Sequence, residues 1–478
     1  MNRSHKSIFF LMVLAAVVFG CKNDDAETVV FPYSNIVSYN VPGQVGSAMI
    51  DKAKRTVTIT LPFDTDLEHV VPTVGISSNA TVVPASGATV NFKTNNKVGY
   101  VVTSESGSKS EWTVDVELTG DPEAIQLELI PNTGGWESEF TVYHDLSYNK
   151  YLTRSSGWNG GDGCVTTELP DGSLLWSFQD SFFGLIDNSR SRTNNTFARN
   201  AGFIQENKSL YSYVQLNPGT NENTDTWVRY PGANANDDDK WYWGGPSQVI
   251  NNEVQMLMGQ IQPAEFAGVH ISTDIAVFDT EMKFKELIQN KYVGELAWDG
   301  SIFKADDGYT YMYTQKNYGI CAAKIYVARV PGQDLRGTWE YYTTDGWVST
   351  APADINKYIA VLDGTATQAN VFKKDDKYYF VTQGTCFGLE ILIYESTSPT
   401  GPFTNQRKLY TIPDKYTQDA DPKFITYNAV VHHALSKEGE LVISYNINPV
   451  DFGDNFNTPG SADNYRPYFV RVYNWEND

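Results

Sequence analysis

The sequence predicts an all-β protein, a small β-sandwich followed by a five-bladed β-propeller. Three observations carry that prediction. Stretches in which apolar and polar residues alternate recur along the chain, and that is the period of a half-buried strand. From residue 125 onward five of them share one register: a strand, a two-residue turn, a second strand and a later apolar strand. No helical period falls between them, and aromatic residues, which favour strands, make up 13% of the chain.

The first element is "MNRSHKSIFFLMVLAAVVFGC", residues 1–21. Arg3 and Lys6 precede an apolar run from Ile8 to Phe19. That run is too short to span a bilayer and reads as a signal peptide. "VFGC" resembles the bacterial lipobox, which implies that Cys21 is lipidated and becomes the mature N-terminus. "CKNDDAE", Cys21 to Glu27, resembles the acidic stretch of Bacteroidetes surface lipoproteins, and residues 22–29 are the expected acidic tether. This implies a cell-surface protein held on the outer membrane by a lipid anchor. The alternative is an ordinary secretory signal in which Cys21 has no role.

Residues 30–120 form the next unit. "RTVTITLPFDTDL", "GATVNFKTNN" and "SEWTVDVEL" alternate between clusters of Pro, Gly, Asn and Ser, as expected of a small antiparallel β-sandwich. The unit resembles the immunoglobulin-like domain found at the start of such lipoproteins, and nothing in it suggests chemistry. "TGDPEA", Thr119 to Ala124, is the expected linker.

Residues 125–478 carry the five repeats. Their turns fall at Asp171-Gly172, Asn251-Asn252, Asp307-Gly308, Asp375-Asp376 and Glu438-Gly439. Five four-stranded sheets with short connections imply a closed ring, which protects sheet edges. A pair of β-sandwiches is the rival arrangement.

In such a ring, polar residues at the ends of inner strands face a central funnel. "GWNGGDGC" places Asp162 at the start of the first repeat, and "LLWSFQDS" ends its second strand with Asp180. "AWDGS" brings Asp299 to the third repeat and "LDGT" brings Asp363 to the fourth. Asp-Gly is also a common turn dipeptide, and Asp171, Asp307 and Asp345 read as turn residues. Trp158, Trp241, Trp243 and Trp298 lie beside the glycine-rich loops, where their faces suit sugar rings or the core equally. His432 and His433 are neighbours on a strand and so point to opposite faces, one of them toward the funnel. Gln315, Glu390 and Arg466 complete the candidate binding set; Arg466 could pair with a funnel acid or cap the ring closure.

The net charge of −21 argues against nucleic acids and anionic membranes as partners. A polysaccharide or oligosaccharide fits, with the membrane reached only through the lipid. No P-loop, dinucleotide fingerprint or serine elbow is present. Asp237, Asp238 and Asp239 lack the spacing of a calcium loop, and no CxxC suggests zinc. No cofactor is expected, and an axial structural cation stays open. Cys164, Cys321 and Cys386 read as three buried thiols, or as one disulfide between Cys321 and Cys386.

"YESTSPTGPFTNQRKLY", Tyr394 to Tyr410, resembles a blade-closing segment of glycoside hydrolase family 43. "GDG…LPDGSLLWSFQDSFFG" and "HHALSKEGELVISYN" are more similar to related bacterial propellers that include D-arabinan-cleaving enzymes. Gln179 departs from the glycine usual there. The resemblance implies a glycoside hydrolase, of arabinanase or arabinofuranosidase type, working by carboxylate acid/base chemistry. It implies Asp162 or Asp180 as base and Asp299 as a second acid or pKa modulator, with Asp363 and Glu390 as further acids. A non-catalytic glycan-binding lipoprotein of a polysaccharide utilisation system is the alternative.

Overall fold

A computed structural model describes residues 31–63, 65–119, 125–264, 268–318, 322–366, 370–417, 419 and 423–476. The expected signal peptide and tether, with Cys21, lie outside the described residues, as does Cys321. The protein is all-β; among the described residues the one α-helix is the short segment Leu146–Tyr151, capped by the Asp145 side chain, which accepts from Tyr148 N.

The N-terminal unit has two sheets around one core. Met49–Asp51, Thr56–Leu61, Lys109–Leu118, Lys97–Thr103 and Thr81–Val83 lie side by side in that order, and Ile36–Asn40 pairs with Thr73–Ile76. Alternation fixes which side chains turn inward: Val57, Ile59 and Leu61 from one strand meet Trp112, Val114 and Val116 from its neighbour, with Ile36 and Val74 from the second sheet. Thr56–Leu61 and Lys109–Leu118 run parallel. This corrects the expectation of a purely antiparallel unit: the two strands are joined by a long excursion rather than a hairpin, and only a long connection permits parallel pairing.

The rest of the chain forms five successive antiparallel sheets. Their first strands are Val165–Glu168, Trp241–Ile250, Ala297–Lys304, Asn370–Lys374 and Phe424–Val431. Each is joined to its second strand through the turn expected from the sequence. Neighbouring sheets pack in chain order. The fifth meets the first, where Val442 and Phe469 share a core with Trp176 and Phe178 and Thr166 Oγ1 lies 3.1 Å from His432 Nδ1. Thr141–Asp145, which precedes all five sheets, pairs with the last strand, Arg466–Tyr473. An additional three-stranded sheet, Trp158–Gly161, Ser181–Ile186 and Arg192–Ala198, extends from the first sheet.

The two units touch at one end of the strands. Lys54 Nζ lies 2.8 Å from Glu438 and Lys437 Nζ 2.7 Å from Glu117, while the Ser47 and Tyr143 hydroxyls are 2.9 Å apart. The first and fifth first strands run in the same direction, because Asp162 meets Tyr427 and Thr166 meets His432. The Glu438-Gly439 turn therefore lies at the end opposite Asp162 and Asp180, and so does the N-terminal unit.

Cys164 is free and buried. Cys386 is disulfide-bonded, which corrects the reading of three free thiols.

Candidate active site

Backbone geometry brings Asp162 and Asp180 together before any side chain acts. Asp162 N donates to Asp180 O at 3.2 Å, and Gln179 N donates to Asp162 O at 2.9 Å. Glycines make this crossing possible. A Cβ on Gly161 would stand 2.5 Å from Ser181 Oγ, and Gly163, at φ +59°, would carry one 2.5 Å from Gln179 Cγ.

The carboxyl groups are set in an aromatic shell. The Tyr427 and Tyr465 hydroxyls donate to Asp162 Oδ2 at 2.9 and 3.1 Å, while Asp162 Oδ1 is buried without a partner. Trp243 Nε1 donates to Asp180 Oδ1 at 3.1 Å, and Arg199 Nη1 lies 3.5 Å from the same oxygen. The Arg199 guanidinium rests 3.9 Å over the Trp241 ring. The Asp180 side chain is 16% exposed, so water reaches it.

Burial pushes the Asp162 carboxyl up to about 7, and the neighbouring Asp180 charge adds to the rise against the two tyrosine donors. Burial also lifts Asp180, to about 6, and the Arg199 charge and Trp243 hold it below its partner. Two like charges in a dry setting keep one proton between them near neutrality. Tyr465 holds a left-handed backbone at φ 56°, an unusual conformation for a bulky side chain, and Asn428, next to Tyr427, does the same. Such strain collects at functional sites.

Asp299 lines a cavity that Gly163 and Gln179, the chain neighbours of Asp162 and Asp180, also line. The cavity, about 110 Å³, is lined by all five first strands, among them Thr166, Ser247, Asp299, Asn370 and Val430, and also by Gly163 and Gln179. A Cβ on Gly259 would stand 2.2 Å from Asp299 Oδ2, so only glycine admits the carboxylate there. Burial raises the Asp299 carboxyl, and the His270 ring opposes the rise.

Most of the other candidates lie elsewhere. Asp363 is on Leu362–Thr365, which pairs with the third sheet and does not open the fourth. Its side chain is 55% exposed and bound by Tyr318 and Lys324. Its Asp-Gly shapes a surface strand instead. Glu390 is on the third strand of its sheet, in an ion pair with Lys408. Arg466 meets no site acid; its Nη1 donates to backbone oxygens of Asn149 and Pro467, and it stacks on Tyr468. Trp158 and Trp298 are fully buried and have no face free for a sugar. His432 is enclosed between Thr166 and Ser444, and its neighbour His433 lines the central cavity. Gln315 Oε1 is buried without a partner, beside Gly300. Arg199, Tyr427 and Tyr465 carried no sequence signal, since each lies in an ordinary strand or loop far from Asp162 in the chain.

Among the described residues the one cluster of possible metal ligands is the exposed group Asp66, Glu68 and His69 in the N-terminal unit, where Asp66 already binds His69 and Glu68 binds Lys93.

Residues 145–475 match the family described as "Domain of unknown function (DUF5005)", and residues 36–116 match "SGBP, N-terminal". No curated protein matches the chain. A solved structure from Bacteroides ovatus ATCC 8483, named a "putative hydrolase", is 37% identical with a TM-score of 0.67, over 73% of this chain and 94% of its own. The GH43_1 enzyme from Xanthomonas citri complexed with xylotriose is 14% identical with a TM-score of 0.38, over 68% and 92% of the two chains. A glycoside hydrolase family 43 arabinoxylan arabinofuranohydrolase from Bacillus subtilis is 15% identical with a TM-score of 0.39, over 66% and 63%.

Proposed function

The chain belongs to the family described as Domain of unknown function (DUF5005), and we propose that it is a glycoside hydrolase whose chemistry is done by Asp162 and Asp180. The observation that carries this is the buried carboxyl pair, raised to about 7 and about 6, with solvent access at Asp180. Glycoside cleavage needs one carboxyl that holds a proton and one that has lost it at the same pH. Arg199 and Trp243 favour charge on Asp180, so Asp180 is the base that activates water. Asp162 keeps the proton and gives it to the leaving oxygen. Asp299, on the adjoining cavity, is a third carboxyl whose own burial raises its affinity for a proton.

The five sheets act as the blades of one five-bladed propeller, with the pair at the mouth of its central cavity. Support comes from the five first strands that line that cavity and from the pairing of Thr141–Asp145 with the last strand. The N-terminal unit is an immunoglobulin-like spacer, docked away from the pair. With Cys21 lipidated it would face the outer membrane and turn the site outward. The substrate is a polysaccharide, and an arabinofuranose-containing glycan is the specific choice, resting on the family resemblance of the first sheet.

A second reading, a non-catalytic surface glycan-binding protein, is favoured by the match of residues 36–116 to an SGBP N-terminal domain. Incubation with arabinans, arabinogalactans and xylans separates the two. The hydrolase releases new reducing ends from at least one of them, and a binding protein is retained on the glycan without releasing any.

A further inference from the structure

A second site is visible far from the carboxyl pair in its chemistry. A cleft of about 310 Å³ runs between the Leu146–Tyr151 helix, residues 153–156 and the loop at Leu210 and Tyr211. Lys150 and Arg154 both line it. The Arg154 guanidinium lies over the Tyr213 ring, its carbon 3.6 Å from the ring centroid. The platform is fixed, because Trp158 N donates to the Tyr213 hydroxyl at 3.2 Å. Stacking occupies the faces of the guanidinium and leaves its edge, where the donors are, uncommitted. Arg154 Nε is buried without an acceptor.

Among the described residues no carboxylate lines the cleft or pairs with Lys150 or Arg154. Asp145, at the helix start, is taken by Arg471 at 2.7 Å, and Glu206 accepts from the Ser212 hydroxyl at 3.1 Å. Burial lowers the affinity of Arg154 for its proton, opposed by Tyr213 and Tyr151 alone. The chain holds 57 acidic against 36 basic residues, so two cations sharing a cleft with no acid among the described residues that line it run against its trend. A buried donor set left unsatisfied costs free energy that a ligand can recover.

We propose that this cleft binds an oxyanion carried by a glycan, a uronate carboxylate or a sulfate. Arg154 and Lys150 supply the charge, and the hydroxyls of Ser155 and Ser156, which also line the cleft, supply further bonds. Tyr211, 72% exposed at the rim, offers its ring to the sugar. The net negative charge does not forbid this, because charges more than about 8 Å away are screened at physiological salt. The site neither requires nor supports catalysis at Asp162 and Asp180, and it would hold acidic glycan while the pair acts elsewhere.

Titration calorimetry on the full chain tests it, with galacturonate and with sodium sulfate against galactose and sodium chloride at matched ionic strength. Binding of galacturonate alone assigns a sugar carboxylate, and binding of sulfate alone assigns a sulfate group; either supports the proposal. Loss of one charged hydrogen bond should weaken Kd about tenfold or more in Lys150→Met. Arg154→Lys keeps the charge but loses the fork, and should weaken it by a similar factor without unfolding the Tyr213 platform. Asp162→Asn should bind like the parent, which separates this site from the catalytic reading. Heats no larger than those of chloride, or affinities unchanged in both cation variants, overturn the proposal.

Discussion

Replacing Asp162 with asparagine should make the protein more stable, and the gain should depend on pH. In the unfolded chain this carboxyl titrates at its ordinary 3.8, and in the fold it is pushed up to about 7. Between those values the folded state holds a proton that the unfolded state has lost. Stability therefore falls as pH rises through this window and levels off above it. Each pKa unit corresponds to about 1.4 kcal/mol, so the shift sets a ceiling of about 4 kcal/mol at pH 8. Asparagine removes the charge. Its oxygen still accepts from Tyr427 and Tyr465, but its amide must find an acceptor where Asp162 Oδ1 now has none. Allowing about half the ceiling for that cost leaves about 2 kcal/mol, a rise of about 3 °C for a unit of this size. Calorimetric melts of parent and Asp162→Asn at pH 4, 6 and 8 should show the variant melting slightly earlier at pH 4, where the cost of the amide stands almost alone, overtaking the parent between about pH 5 and 6, and melting about 3 °C later at pH 8. A variant that melts earlier at pH 8, or an offset that is the same at every pH, would refute the idea that this carboxyl is held against its own charge.

Other expectations follow from the same contacts. Arg199→Met removes the cation 3.5 Å from Asp180, so the ionisation that limits activity on the acid side should move up by about one pH unit, read from a pH–rate profile. Arg192 is fully buried and binds Asn159 Oδ1 and the backbone oxygens of Asn455 and Ser461, tying down the loop that carries Tyr465. Arg192→Met strands those acceptors and should cost about 3–5 kcal/mol in denaturant unfolding, with activity falling alongside. Lys54→Ala breaks an exposed pair with Glu438 and should change stability by less than about 0.5 kcal/mol; a larger loss would mean that the contact between the two units matters more than its ion pairs.

The sequence exposed the sheets because each hairpin announces itself locally. Two strands of alternating residues and a turn dipeptide lie within about twenty residues, so pattern and structure share one scale. The same holds for the carboxyl pair: Asp162 and Asp180 flank a single hairpin, and the glycines that let them meet are written beside them. Asp363 shows the limit. "LDGT" resembles "AWDGS", yet Leu362–Thr365 joins the third sheet and its acid is exposed, whereas Asp299 sits over Gly259 and Gly245. What separates them is the neighbouring sheet, and no short motif records it. Arg199, Tyr427 and Tyr465 come from three segments that the packing of the sheets brings to one point. Their local sequence says only strand or loop. Trp158 and Trp298 erred the other way, because a tryptophan beside a glycine-rich loop serves the core as readily as a sugar. The parallel pair in the N-terminal unit was hidden for a similar reason: alternation fixes which residues face inward and says nothing of strand direction.

The most direct test of the account is the release of reducing ends from arabinan by the parent, Asp162→Asn and Asp180→Asn proteins, each first checked to be folded by its melting curve. The account predicts steady release by the parent and none above the no-enzyme rate by either variant, with both variants still folded. Release that persists in both variants, or a folded parent that is retained on arabinan, arabinogalactan or xylan and cleaves none of them, would contradict it.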